Sequence, residues 1–392
     1  MNPDIRPAPA AIEAPFPVLP RPYDAAGLAG LAARYGSPLL VVDCDVLRAQ
    51  YRRLAAALPG VVLHYALKPL PVPAVVRALA DEGACFDLAT NGEVDLVRAE
   101  GISPLRCIHT HPIKRDADIR HALEYGVTTF VVDNPDEMEK FAPYAGRAEL
   151  LIRLSFRSPE AVVDLSRKFG CDADTALELM RQAKRLGVEV RGLSFHVGSQ
   201  SRSPETKVHA IDACGTLMAE ARREGLAALG TLDIGGGFPI DYVEQATPIE
   251  EFCAPIRAAL ARLPADTRVI AEPGRFICGP AGTVLTTVMG RAFRDGCWWY
   301  YLDDGLYGSF SGQLYDHAHY PVEPLFPGEG AAEPSVLAGP TCDSVDVIAE
   351  DLALPPLRAG DILVGRQMGA YTWASATDFN FFPRARVLPV NV

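Results

Sequence analysis

From residue 38 onward, short runs of apolar and β-branched residues alternate with stretches in which apolar positions recur every three or four residues. Leu39 to Val42 is such a run and predicts a strand. Asp45 to Leu58 then sets Leu47, Tyr51, Leu54 and Leu58 on one helical face, with Gly60 closing the helix. Val61 to Ala66 predicts the next strand, Pro73 to Glu82 a helix, Cys85 to Leu88 a strand and Gly92 to Glu100 a helix. Further strands are predicted at Cys107–Thr110, Thr128–Val132, Glu149–Leu154, Gly192–Phe195, Thr231–Ile234 and Arg268–Ala271. Helical spacing lies between most of them, as in Thr175–Leu186 and Thr206–Glu224. Repeated strand–helix alternation implies a parallel sheet. About eight such units within roughly 240 residues fit a (β/α)8 barrel better than an open doubly wound sheet, although the count admits both.

After Gly279 the pattern changes. Val284–Val288, Trp298–Leu302, Ser335–Leu337, Asp361–Val364 and Arg386–Leu388 are strand-like, separated by Gly and Pro. Clear helices are scarce, so an all-β domain is expected from a boundary near residues 280–290. The first 22 residues are rich in Pro and Ala and predict a flexible arm.

Composition narrows the function. The 392 residues are 49% hydrophobic and 22% charged, with a net charge of −12. That charge argues against a nucleic-acid partner, because phosphate backbones need clustered Lys and Arg, but it leaves room for a local basic pocket. The nine Cys stand singly with no CxxC pair, which predicts no zinc site, no disulfide scaffold and a reducing cytoplasm. No unbroken apolar run reaches the length of a membrane span, so no membrane partner is expected.

Four motifs fall at predicted strand ends. Tyr65-Ala66-Leu67-Lys68 puts a lysine where barrel active sites sit, and desolvation there would make it a nucleophile toward a carbonyl. Alone it reads more readily as a surface lysine just past a strand. Asp233-Ile234-Gly235-Gly236-Gly237-Phe238-Pro239 lets backbone N–H groups approach an oxyanion, or is a flexible turn. Glu272-Pro273-Gly274-Arg275 offers a carboxylate for a ring nitrogen and a guanidinium for a phosphate, or an ordinary salt bridge. His196, in Phe195-His196-Val197-Gly198-Ser199-Gln200, is a stacking ring or a structural histidine. Together on one barrel rim they make the parts list of a pyridoxal-phosphate site.

The ordered series YALK, HVGSQ, DIGGGFP, EPGRF, GPTCDSVD and GAYTWASATDFNFF resembles the alanine-racemase-like (fold-type III) class of pyridoxal-phosphate enzymes, and within it the ornithine/diaminopimelate decarboxylase family. The likeness runs from about residue 38 to 382, nearly the whole chain. It implies a TIM barrel over 45–283, a C-terminal β-barrel domain over 284–392 to which 23–44 contributes, and a homodimer with two shared active sites. It implies that Lys68 holds pyridoxal 5′-phosphate covalently. Glu272 would keep the ring nitrogen protonated and His196 would stack on the ring. Ser199, Gly237, Gly274, Arg275 and Tyr371 would bind the phosphate, with Gly235 and Gly236 shaping the nest. Asp87 and Arg153 would position the lysine and the ring edge. Cys342 matches the cysteine that reprotonates the substrate carbon, supplied by the partner subunit.

Substrate choice is read from the same likeness. Diaminopimelate enzymes carry C-E-S-G-D, whereas this chain has Cys342-Asp343-Ser344-Val345-Asp346. Leu314-Tyr315-Asp316 matches the ornithine decarboxylase branch, with Asp316 and Asp343 facing a distal ammonium. This implies a basic L-amino acid, ornithine first and lysine second, and thus polyamine synthesis. Arginine, diaminopimelate or a specialised-metabolite intermediate remain alternatives, since Pro69-Leu70-Pro71 follows Lys68 where relatives often have a small residue and Asn. A racemase or a non-catalytic regulatory relative fits less well, because the chain keeps Lys68, Gly235–Gly237, Arg275 and Cys342.

Overall fold

The computed structural model describes residues 24–156, 161–163, 168–326 and 328–392; the expected arm over 1–22 lies outside them. The chain divides into two compact units. One comprises Arg48–Ile240 and Ala246–Ile277. The other takes the described residues up to Leu47, Asp241–Gln245 and Cys278–Val392.

Strand β1 (Leu39–Asp43) and helix α1 (Ala25–Tyr35) belong to the second unit. The first unit is a closed barrel of eight parallel strands. They are β2 (Val61–Ala66), β3 (Cys85–Leu88), β4 (Cys107–His109), β5 (Thr129–Val132), β6 (Glu149–Leu154), β8 (Glu189–Phe195), β10 (Thr231–Asp233) and β11 (Arg268–Ala271). The short strands β7 (Ala161–Val163) and β9 (Ser199–Ser201) form a separate antiparallel pair. Closure comes from β11 pairing with β2, Val269 opposite Val61. Helices cover a parallel barrel on its outside, so its strands read as apolar runs rather than alternating ones.

The helices between the strands are α2 (Cys44–Ala57), α3 (Pro73–Asp81), α4 (Asn91–Ala99), α5 (Asp116–Tyr125), α6 (Pro135–Glu139), α7 (Ala173–Leu186), α8 (Glu205–Arg223) and α9 (Ile249–Leu260). In α7, the Asp172 side chain accepts from Thr175 N and Gly187 ends the helix in the left-handed region. Its buried stripe is Ala176, Leu177, Leu179, Met180 and Ala183. Each buried Leu contributes about 1.5–3 kcal/mol. In α4, Thr90 and Glu93 form a reciprocal capping box. Helix α9 forms although Pro255 lies inside it.

The second unit holds an eight-stranded mixed sheet. Its later strands are β12 (Gly282–Arg294), β13 (Cys297–Leu302), β14 (Val322–Pro324), β15 (Glu333–Ala338), β16 (Val347–Leu354), β17 (Ile362–Gly365) and β18 (Arg386–Val390). The short helices α10 (Arg275–Cys278) and α11 (Gly312–Asp316) precede β12 and β14. β1 pairs antiparallel with β12 and parallel with β18. Leu28 and Leu31 of α1 pack with Leu39, Val41, Leu285, Val364, Leu388 and Val390 in this unit's core. Two strands escaped the sequence pattern: β14 has only three residues, and in β16 Glu350 and Asp351 interrupt the apolar run, Asp351 with φ +56°. No helix among the described residues is long and apolar enough to cross a membrane.

Candidate active site

The barrel register brings the motif residues to one end. Ala66 of β2 pairs with Asp87 of β3, and Leu67 N donates to Asp87 O at 3.2 Å. Ala66 N donates to Pro273 O at 3.2 Å, which ties the lysine loop to the segment after β11. Glu272 N donates to Gly235 O at 3.0 Å, and Arg153 of β6 pairs with Ser194 of β8, two residues before His196. The C-terminal strand ends thus present Lys68, Asp87, Arg153, His196, Gly235–Gly237, Glu272 and Arg275 on one rim. Lys68 itself is exposed between buried Leu67 and Leu70, where desolvation was expected; its surroundings are acidic instead, with Asp87 and Glu93 both sensing its charge.

Asp87 and Asp233 are buried there and Glu272 is half-buried. Burial, then the charge of Glu272, hold Asp87 well above the usual carboxylate range, while Lys68 and a hydrogen bond from Thr110 Oγ1 oppose them. Asp233 is raised in the same way, by burial and then by Glu272. One Asp233 oxygen accepts from Gly235 N at 2.9 Å. Burial lowers Arg153, with Glu272 the largest opposing influence, and its guanidinium lies 5.4 Å from the centre of the Phe169 ring. His196 is pushed far below its ordinary value by burial, then by Lys68, Arg153 and Lys207. Its Nδ1 accepts from Gly198 N at 3.1 Å, so the neutral ring carries its proton on Nε2.

These residues fit a cofactor with a flat basic ring and a phosphate. A Cβ at Gly236 would stand 2.6 Å from Glu272 O and 3.1 Å from His196 Nε2. One at Gly237, where φ is +90°, would stand 2.2 Å from Gly198 O. Only glycines permit this turn, and it leaves backbone amides as anion donors. Arg275, buried at the start of α10, donates to Ser199 Oγ through Nη2 at 3.0 Å, which pairs two expected phosphate ligands. Gly274 packs against Pro69, where a Cβ would stand 2.7 Å from Cγ.

The remaining expected residues lie in the second unit. Cys342 is exposed, and its N–H donates to Asn380 Oδ1 at 3.0 Å. Asp343 accepts from the Tyr307 hydroxyl, which holds its carboxyl below the usual range. The Tyr307 ring stacks on Phe379 at 4.4 Å. Tyr315 is exposed on α11, where Asp316 is the last residue. Tyr371 is half-buried with φ +55°. The motifs DGLYG, GPTCD and TDFNFF therefore meet within this unit. The other eight Cys are buried or half-buried.

Three residues given no role from the sequence support this arrangement. Asp346 accepts from Leu306 N at 2.7 Å, Thr341 N at 3.0 Å and Thr341 Oγ1 at 2.7 Å, binding the cysteine loop to the DGLYG loop. Asp233 caps the glycine turn, and Lys207 lies beneath it. A lysine three residues into an otherwise amphipathic helix gave no signal of its burial.

Comparison with known proteins places this geometry. Residues 44–279 match the pyridoxal-binding domain of the pyridoxal-dependent decarboxylases. The lysine/ornithine decarboxylase of Selenomonas ruminantium is 38% identical over 90% of this chain and 89% of its own. The ornithine decarboxylase of Caenorhabditis elegans is 35% identical over 89% and 86%. The lysine/ornithine decarboxylase of Vibrio vulnificus, solved with cadaverine, superimposes with a TM-score of 0.90 at 56% identity, covering 94% of this chain and 96% of that one.

Proposed function

We propose, on the premise that this chain belongs to the pyridoxal-dependent decarboxylase family and uses pyridoxal 5′-phosphate to decarboxylate basic amino acids, that its substrate is L-ornithine first and L-lysine second. The observation that carries the reading is the likeness to the Vibrio vulnificus lysine/ornithine decarboxylase, solved with both cadaverine and putrescine. Putrescine and carbon dioxide are then the products from ornithine.

When bound, the cofactor would supply an electron sink for the pair left on the α-carbon by decarboxylation. Lys68 is proposed to hold it covalently. Glu272, backed by Asp233, would keep a proton on the ring nitrogen; burial and the charge of Glu272 raise the Asp233 carboxyl, which disfavours full charge on it. Neutral His196 packs on the ring face without adding positive charge. Gly235–Gly237, Gly274, Ser199, Arg275 and Tyr371 hold the phosphate, while Asp87 and Arg153 orient Lys68 and the ring edge.

Cys342 is proposed to deliver a proton to the α-carbon, and Asp316 and Asp343, with Tyr315, to meet the distal ammonium. All four lie in the second unit, and Cys342 and Tyr315 are exposed there. Such groups need a covering surface to exclude water from the chemistry. We therefore propose a two-fold homodimer in which these loops complete the partner's barrel site.

A carbon dioxide release assay across ornithine, lysine, arginine and diaminopimelate tests the substrate. Ornithine is expected to give the largest kcat/KM and lysine the next. Turnover of diaminopimelate with none of ornithine or lysine overturns the assignment.

A further inference from the structure

Lys207 lies on α8 and is fully buried. Its Nζ donates to Ile234 O at 2.7 Å and to Gly236 O at 2.9 Å. The Phe238 and Phe195 rings flank it at 4.9 and 5.7 Å. It makes no salt bridge among the described residues; Cys253, Asp233 and Glu272 act on its charge from further away. A buried cation spent on two carbonyls of one glycine turn calls for an explanation, because an apolar side chain would be cheaper to bury there.

Peptide geometry supplies one. In a planar trans peptide, a carbonyl and the following N–H point in opposite directions. Drawing the Gly236 carbonyl onto Lys207 turns the Gly237 N–H away from it. The Ile234 carbonyl does the same for the Gly235 N–H, which Asp233 Oδ1 accepts. Of these two amides, Gly237 is therefore the one left for an anion on the side opposite Lys207.

We infer that Lys207 is a positioning residue for the cofactor phosphate: it clamps the underside of the glycine turn, presents the Gly237 amide to the phosphate and sets a fixed positive charge behind it. This rests on the pyridoxal-phosphate reading of the site above. Burial lowers the lysine to about 8, so it remains mainly charged at neutral pH.

The test compares pyridoxal 5′-phosphate with pyridoxal, which lacks the phosphate, as ligands of the full-length protein. Lys207→Met is expected to weaken binding of the phosphorylated form by about tenfold or more, as for loss of hydrogen bonds to a charged group, and to leave pyridoxal unchanged. Lys207→Arg, which keeps charge and donors, is expected to recover part of that preference. An equal loss for both ligands, or no loss, overturns the inference and leaves Lys207 a packing residue. A second measurement needs no variant. The sequence has Gly–Gly peptides only at Gly235–Gly236 and Gly236–Gly237. Glycine labelled with 13C at the carbonyl and with 15N therefore reports only the Gly236 and Gly237 amides. Inorganic phosphate added to cofactor-stripped wild type should shift Gly237 saturably and more than Gly236; an unmoved Gly237 also overturns the inference. Borohydride fixation of cofactor on wild-type Lys68 separates the two failures: fixation elsewhere defeats the cofactor reading, whereas fixation at Lys68 with an unchanged ligand preference defeats only the role of Lys207.

Discussion

Asp233 and Asp343 are each an aspartate in a motif at the end of a strand or loop, yet they sit in opposite settings. Asp233 is fully buried at the barrel end, and burial with Glu272 raises its carboxyl. Asp343 lies on the second unit's loops, where the Tyr307 hydroxyl lowers its carboxyl. The same contrast holds across the two regions. At the barrel end several groups find partners internally: Arg275 on Ser199, Lys207 on two carbonyls, His196 on Gly198. The loops around Cys342 present theirs outward. A preorganised pocket suits a permanently held cofactor, whereas exposed reactive groups suit a site finished by a second surface.

The strongest way to break this contrast is at the barrel end. Lys68→Ala is expected to lower kcat by about 10³-fold or more and to abolish the visible absorbance of bound cofactor, since covalent attachment and proton handling are both lost. Full activity in that variant would move the site elsewhere. Next comes Glu272→Gln, which keeps shape but not charge. It should retain the cofactor while kcat falls by about 10²–10³-fold, the size expected when a preorganised charge is removed. Steady-state kinetics beside an absorbance spectrum separate loss of chemistry from loss of binding.

On the loop side, Asp316→Asn should raise KM for ornithine by about 30-fold or more if the ammonium is desolvated in the assembled site. The cofactor spectrum should not change. Unaltered ornithine kinetics would show that the half-buried Asp316 never meets substrate.

The smallest effect sharpens the account of barrel burial. His109 is buried beside Phe130, and neither ring nitrogen has a hydrogen-bond partner among the described residues. Burial, then Lys114, lowers it from 6.5 to about 3. Its unfolded ring gains a proton below 6.5 while the folded ring does not. Its contribution is complete above that pH and is lost as pH falls toward 3, at about 1.4 kcal/mol per pH unit. His109→Phe should therefore gain about 2 kcal/mol on wild type between about pH 7 and about pH 5, read from urea midpoints. An unchanged difference would mean that the ring protonates in the folded state.

The barrel was legible because its strands are short apolar runs separated by helical periodicity, and because Lys68, His196, Gly235–Gly237 and Glu272 all follow such runs. The second unit was less legible. Its strands vary from the three residues of β14 to the thirteen of β12, which carries a register shift between Val288 and Gly290. Placing Asp241–Gln245 with that unit depends on contacts distant in sequence. The supports of the site were hidden for the same reason. Lys207 on α8 and Asp346 after the cysteine loop look like ordinary surface charges until the fold turns them inward.

The central claim is that one copy's exposed cysteine loop serves the other copy's barrel end. Lys68→Ala and Cys342→Ala, each inactive alone, should recover about a quarter of wild-type activity when mixed under conditions that exchange subunits at random, because half of the molecules become mixed dimers with one intact site of two. No recovery, with exchange demonstrated by differently tagged subunits, would contradict it and place Cys342 and Lys68 of the same copy in one site.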